Sequence, residues 1–435
     1  MSYVLKSVIL QRACGNLSYE LADIFIKNGV VENIDSSKIE LSDISSDHFF
    51  VTPGFVNSHL HPNQLLDRRM LDEKSITDLL SAMHIVQQKT DEDRYHQAIF
   101  VLIDALKSGA TSIYAIASKP EPVIRAFNDI GITGAISCFF NDVWEGEGNT
   151  PAQISLQEVE RNFAEFFKAN NKDVKIHIGS ASILTASNEL LKLFNDIAVR
   201  YNTKVNIHMS EGIDSVERCR QHRGTTPIRL LDQLGILNER WNLIHAATVD
   251  EEEIKIIARS GASVIHCPVS NAKTGVGIAP MLDFYKNGVN IAIGTDACSN
   301  NNTNNILNEA YFATLLHSAI HRDALVFNEE IIFEWLIPNG LKIIDSKRNG
   351  KIEAGERADL LIWSLKDPCF VPLHYGKFRS AFINNAPDAK PHTVILGGRK
   401  VIENYTFTGD LEKRATDAIN RWTKKGLYLK APVSY

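Results

Sequence analysis

Two histidines one residue apart, His59-Leu60-His61, follow the apolar run VTPGFVNS, which has a Pro-Gly turn near its start. In an extended strand residues i and i+2 point the same way, so both imidazoles can face one interior. Neutral imidazole is a common ligand for borderline metals such as zinc; an isolated HxH pair is as readily a surface loop. His208-Met209-Ser210-Glu211 puts an imidazole at the end of another apolar run and a carboxylate three residues later. A metal ligand and an acid/base group would there flank one activated water, although a lone Glu at a helix start is also favoured by the helix dipole. Asp296 stands directly after the run IAIGT. A carboxylate in that position is costly to bury unless it is paired or bound to metal; a helix N-cap is the plainer alternative. His245, in WNLIHAAT, carries a weaker signal, because a lone His at a strand end is often a satisfied core residue. His266 and Cys267, in HCPVSN, read as a packing or supporting histidine and a small buried residue.

These residues lie far apart in the chain, so they need a scaffold that brings strand ends together. Eight short, mostly apolar segments are predicted as strands: 54–59, 111–116, 134–140, 174–179, 204–208, 242–245, 263–266 and 290–294. Such runs fit strands buried on both faces. Helical stretches alternate with them, among them 91–108, 155–170, 187–201, 250–260 and 304–321. Repeated β-then-α units predict a closed parallel (β/α)8 TIM-like barrel whose C-terminal strand ends converge on one face. His59, His61, His208, His245, His266 and Asp296 all fall at such ends. A doubly wound open sheet is the competing fold, but no Gly-rich phosphate turn follows the first strand.

Outside the barrel the pattern changes. YVLKSVILQ, ADIFIKNG and VVENID near the start, and KIEAGERADLLIWSL, AFINNAP and HTVILGGRKVI after residue 348, read as strands and turns. The expected organisation is a small β-sandwich built from both chain ends, 1–52 and 348–435, around a barrel at 53–347. The Asn-rich segment 299–305 reads as a loop.

The chain has 435 residues, ample for such a barrel and an accessory module, and a net charge of −6. That charge argues against a nucleic-acid partner, which usually meets a basic surface. The six cysteines, Cys14, Cys138, Cys219, Cys267, Cys298 and Cys369, form no CxxC pair and read as reduced thiols. MSYVLKSVIL lacks the features of a secretory leader, and no apolar stretch approaches the roughly 18 residues of a membrane helix. The expectation is a cytoplasmic enzyme with a small-molecule substrate and no membrane partner.

PGFVNSHLH, HMSE, HCPVSN and GTDACSNN, in that order, resemble the metal-dependent deaminase and chlorohydrolase branch of the amidohydrolase superfamily, which includes cytosine, guanine and S-adenosylhomocysteine deaminases. GKIEAGERADLLIWS is similar to the segment with which such enzymes return to their β module. The resemblance implies that His59, His61, His208 and Asp296 hold one divalent metal, usually zinc, with ferrous iron as the alternative. It implies that Glu211 shuttles protons, that His245 orients or deprotonates water, and that Asp296 doubles as a base. A homodimer is what the family leads one to expect. Gln64 holds the place of a Gln found in guanine and formiminoglutamate deaminases, and its amide can donate and accept toward an amidine or lactam edge; it reads equally as a plain loop residue. Two features depart from the pattern. Ala181, in IGSASILTAS, stands where adenosine-type members carry a His, and the Arg-Phe pair of guanine deaminases is absent.

The expected activity is hydrolytic deamination of an amino-substituted N-heterocycle or amidine-type carbon, with release of ammonia. The same site could serve a chlorohydrolase or an imino or amide hydrolase. A barrel that binds metal and ligand without catalysis is the non-enzymatic alternative.

Overall fold

The computed structural model describes residues 2–12, 19–40, 43–69, 72, 89–146, 150, 152–374, 377–386 and 388–424; Cys14 lies outside them. Eight consecutive parallel strands form a closed barrel. They are Phe55–His61, Ala110–Ala117, Thr133–Phe139, Val174–Ser180, Val205–Met209, Trp241–His245, Ser263–His266 and an eighth in two pieces, Asn290–Ile293 and Asp296–Ala297. Each pairs with its neighbour in chain order. The second piece of the eighth returns to the first strand, with Asp296 opposite Leu60 and Ala297 opposite His61. The first strand therefore runs two residues beyond the predicted end and includes both histidines.

Closure is enforced by side chains at the seam. The Asn57 amide donates to Thr295 Oγ1 at 2.8 Å, and its carbonyl accepts from the Thr295 N–H at 3.1 Å. Gly294 lets the eighth strand press against the first: a Cβ added there would stand 2.6 Å from the His59 Cβ.

The helices between strands begin where capping chemistry directs. Thr90 with Asp93, Ser155 with Glu158, and Asp250 with Glu253 form reciprocal capping boxes. Gly131, Gly224 and Gly261 end helices in the left-handed conformation. The second barrel strand is buried at every position, as a strand covered on both faces must be.

Both chain ends meet in one continuous eight-stranded sheet. It is antiparallel apart from the parallel pair Ser2–Leu10 and Phe49–Pro53. Phe49–Pro53 lies between Ser2–Leu10 and Leu360–Ser364, so the N-terminal strands and the C-terminal return strand share a partner. The sheet has its own small core, including Leu10, Ile24, Ile26, Val51, Leu360 and Ile395. Its other face joins the main core: Trp363 donates through Nε1 to Thr52 Oγ1 and stacks on Phe382 with ring centroids 4.4 Å apart.

The C-terminal part of the chain departs from the expected strands in two places. AFINNAP is not a strand; its first residues end the helix Phe378–Asn384. Phe378, Phe382 and Ile383 follow helical spacing and are buried against aromatic rings, so packing overrides the strand-like composition. The chain then continues past the sheet into a helix, Leu411–Lys424, with Leu411, Ala415 and Ile419 turned to the main core. Glu412 on this helix forms an ion pair with Lys107 of the barrel. Among the described residues, no helix is long and apolar enough to cross a membrane.

Candidate active site

At the C-terminal face of the barrel, His59 and His61 leave the first strand, His208 the fifth, His245 the sixth and Asp296 the eighth. The imidazole Nε2 of His61 lies 3.1 Å from that of His59 and 3.3 Å from that of His208. Asp296 Oδ1 lies 3.0 Å from His61 Nε2 and 3.3 Å from His59 Nε2. A ring nitrogen of His245 belongs to the same cluster: the ligand atoms of His59, His208, His245 and Asp296 all lie within 4.8 Å of one another.

The electrostatics of this cluster fit a cation. Burial pushes the His59 imidazole down to about 4 and holds His208 well below its ordinary value, so both rings are neutral near pH 7. Burial works to raise Asp296, but hydrogen bonds from His59 and His61 overcome it and hold the carboxyl well below the usual range. Neutral rings whose Nε2 atoms face one point satisfy each other poorly by hydrogen bonding. Four atoms held about 2.0–2.1 Å from a central ion in a tetrahedron would stand about 3.3–3.4 Å apart. The separations of 3.0–3.3 Å among these atoms approach that spacing. The donor set, imidazole nitrogen with one carboxylate, suits a borderline divalent metal.

Backbone strain accompanies the convergence. Ser210, His245 and Asp296 adopt positive φ angles of 47°, 72° and 62°. For residues with a Cβ this conformation is uncommon and costs energy. It turns the chain sharply at the end of a strand and aims His245 and Asp296 at the common point.

Two carboxylates and one imidazole have distinct supports. Asp296 Oδ2, the oxygen away from the histidines, accepts from Ser270 Oγ at 2.5 Å and from the Asn300 amide at 3.2 Å. His245 Nδ1 meets Asn271 Oδ1 at 2.8 Å, and its Nε2 stands 3.5 Å from Glu211 Oε1. Glu211 lies on the loop just before the helix Ile213–Arg223, and burial raises its carboxyl above the ordinary value. Gln64 precedes a short turn, Leu65–Asp67; its Oε1 lies 3.0 Å from Ser299 Oγ. The Ser299 hydroxyl also reaches Asn300 Oδ1 at 3.1 Å. Phe139 closes one wall, its ring edge-on to His208 at 5.9 Å between centroids.

His266 is drawn away from the centre. Its Nε2 meets His317 Nε2 at 3.4 Å, and burial with the nearby His317 and His245 holds it well below its ordinary value. Cys267 is fully buried. Ser270, Asn271, Ser299 and Asn300 were not singled out from sequence. HCPVSN and the Asn-rich loop marked their neighbourhoods, but the partners of each amide depend on which strand ends meet.

The model of the Amidohydrolase family matches residues 50–401. The chain is 28% identical to a 5-methylthioadenosine/S-adenosylhomocysteine deaminase from Pyrococcus furiosus over 91% of this chain and 94% of that protein. It is 30% identical to the enzyme of the same name from Thermoanaerobacter pseudethanolicus, over 83% and 84% of the two chains. A 5'-deoxyadenosine deaminase from Methanococcus maripaludis is 26% identical over 90% and 93%. In fold, the chain is similar to a zinc-bound adenosine deaminase from Xanthomonas campestris, with a TM-score of 0.87, 20% identity and coverage of 97% and 98%. It is similar also to a zinc complex of atrazine chlorohydrolase from Arthrobacter aurescens, with a TM-score of 0.84, 19% identity and coverage of 96% and 99%.

Proposed function

The chain belongs to the amidohydrolase family, and we propose that it is a metal-dependent aminohydrolase that removes ammonia from an amino-substituted N-heterocycle. The observation that carries this reading is the convergence of His59, His61 and His208 Nε2 with Asp296 Oδ1, flanked by the facing pair Glu211 and His245.

In this reading His59, His61, His208 and Asp296 hold one divalent ion, zinc by preference and ferrous iron as the alternative. His245 is left free for chemistry because its Nδ1 is engaged by Asn271 and its Nε2 faces Glu211. When bound, the ion would supply Lewis acidity, lowering the pKa of water at the site toward neutrality. The chain then manages protons. Asp296 and His245 Nε2 accept or steer the water proton while the oxygen attacks the carbon that bears the amino group. Glu211 hands one proton to the ring nitrogen and is reloaded with the water proton through His245 Nε2, 3.5 Å away. It delivers that second proton to the departing amine, which leaves as ammonia; the hydroxyl proton released as the carbonyl forms restores Glu211. Water and the amino compound are consumed; the oxo compound and ammonia are formed. The upward displacement of Glu211 by burial brings it nearer the working pH, where a proton shuttle is most effective.

Aminopurines are the first substrates to test, because the curated relatives are named for adenosine derivatives. Ala181 gives this chain no imidazole at the position where adenosine-type members carry one, so its hold on a nucleoside differs from theirs. Gln64 is the proposed reader of the ring edge. The barrel at 53–347 carries this chemistry, and the segments 1–52 and 348–435 form the β module. A cytoplasmic location and a homodimer complete the reading; all five cysteines among the described residues are free thiols.

The deciding experiment incubates the purified protein with aminopurines, aminopyrimidines, pterins and formimino compounds and measures ammonia. Release from at least one class is expected. Chloride release from chlorinated heterocycles, without ammonia from any amino compound, would replace this reading with a chlorohydrolase.

A further inference from the structure

Glu309 is a fully buried carboxylate on the helix Ile306–His321, which follows the Asn-rich loop. Burial pushes its carboxyl up to about 8, although its two hydrogen-bond partners are donors that pull the other way. An ionisable group is rarely kept in such a place without a partner that needs it. Its two oxygens go in two directions. Oε2 accepts from the backbone N–H of Val269 at 3.1 Å, and Oε1 accepts from the Asn301 amide at 2.6 Å.

Each direction leads to the site. Val269 is followed by Ser270, which donates to Asp296 Oδ2, and by Asn271, which holds His245 Nδ1. The same Asn301 nitrogen that meets Glu309 also donates to the Thr295 carbonyl at 2.6 Å, one residue before Asp296. Thr295 is in turn fastened to Asn57, two residues before His59. One side chain therefore spans the segment after the seventh strand and the segment after the eighth. Those two segments supply every hydrogen bond described above to Asp296 Oδ2 and to His245 Nδ1.

We propose that Glu309 is a positioning residue for the hydrolytic site: by clamping Val269 and Asn301 together it fixes Asp296 and His245 relative to one another, without touching substrate or metal. The inference rests on the aminohydrolase reading for its kinetic consequence and on the hydrogen bonds alone for its geometric one. Two donors converge on one carboxylate, so removal of the acceptor leaves both unpaired in a dry interior. The two segments then separate, Asp296 loses the pairing of its Oδ2, and His245 turns.

The test uses the full-length holoprotein and two readouts. In the first, zinc is replaced by cobalt and the visible absorption is recorded, because those bands report the geometry of the ligand shell. Glu309→Ala is expected to retain about one ion per chain and to change the spectrum. In the second, ammonia release is measured with the best compound found in the substrate panel. Glu309→Ala is expected to lower kcat by about 10- to 100-fold, the order of loss that follows a misplacement near 1 Å, with KM within about twofold of the wild type. Glu309→Gln keeps one acceptor and is expected to return kcat to within about fivefold of the wild type. Asn301→Ala cuts one of the two Glu309 bonds together with the bond to the Thr295 carbonyl, and carries the same expectation if Glu309→Ala does not fold. An unchanged cobalt spectrum together with unchanged kcat in Glu309→Ala or Asn301→Ala would overturn the proposal. So would a loss of activity that is wholly restored by adding metal, since that describes weaker folding or occupancy and not displaced groups. If the wild type releases ammonia from nothing in the panel, the aminohydrolase reading fails, and the cobalt spectrum still decides the role of Glu309.

Discussion

Asn271 Oδ1 accepts the Nδ1 proton of His245 at 2.8 Å, which leaves His245 Nε2 bare toward Glu211, 3.5 Å away. One amide thereby selects the tautomer of a histidine and decides which face of the ring can take a proton. Asn271→Ala should lower kcat/KM by about 5- to 150-fold, the range for one specific buried hydrogen bond of roughly 1–3 kcal/mol. Metal content should stay at the wild-type level. Full activity in Asn271→Ala would show that His245 needs no partner to serve.

The metal itself is the simplest prediction. With three Nε2 atoms and Asp296 Oδ1 facing one point, the purified protein should hold about one divalent ion per chain. His208→Ala should lower that occupancy. Elemental analysis that finds none, even after growth with zinc or iron, removes the basis of the mechanism; two ions per chain would require a different one.

Glu211 faces His245, and its proposed work is to carry protons, not to hold metal. Glu211→Gln should retain the ion while kcat falls by about 10²–10⁴-fold, as for loss of a general acid/base group. A variant that loses the metal, yet recovers activity when it is restored, would reverse the assignment.

For Gln64 the prediction is narrower than its sequence position implied. Ser299 Oγ occupies the neighbourhood of its Oε1, so the amide nitrogen is the end left to meet substrate. Gln64→Ala should reduce kcat/KM by about 5- to 150-fold for a substrate with an acceptor on that edge. The loss should shrink for an analogue that lacks the acceptor. Identical kinetics would return Gln64 to the status of a loop residue.

Glu309 also imposes a pH dependence on stability. Folded, it keeps its proton to about 8, against an ordinary value of 4.5. Between these limits the folded state binds the additional proton, so stability contributed at low pH is lost as pH rises through the window. The melting temperature of the wild type should fall more steeply from pH 5 to 8.5 than that of Glu309→Gln, which cannot titrate. Parallel curves would mean that the folded carboxyl is already ionised throughout.

The barrel and the clustering of His59, His61, His208, His245 and Asp296 at its C-terminal face were legible because each polar residue interrupts an apolar strand at its end. That signal is local. The supports were not legible: Ser270, Asn271, Asn300, Asn301 and Glu309 are ordinary polar residues until strands seven and eight lie side by side. The helix Phe378–Asn384 was misread because its aromatic and β-branched content resembles a strand, and only the cluster around Trp363 and Phe333 shows which spacing is used. The final helix could have been found. Leu411, Ala415, Ile419 and Trp422 repeat at helical intervals, a signal that the strand-like composition of the residues after 348 masks.

The sheet shared by both chain ends sets a timetable for synthesis. Thr52 and its partner Trp363 are 311 residues apart, and the edge of Phe49–Pro53 stays bare until Leu360–Ser364 has left the ribosome. At roughly 5–20 residues per second, that delay is about 15–60 s. Throughout it, Phe50 and Val51 belong to a strand with one unfilled hydrogen-bonding side, the state in which strands join across chains. A ribosome that stalls, or a message truncated before codon 360, would therefore release a chain with a nearly complete barrel and an open apolar edge, so that aggregation and not loss of the metal centre would be its first defect.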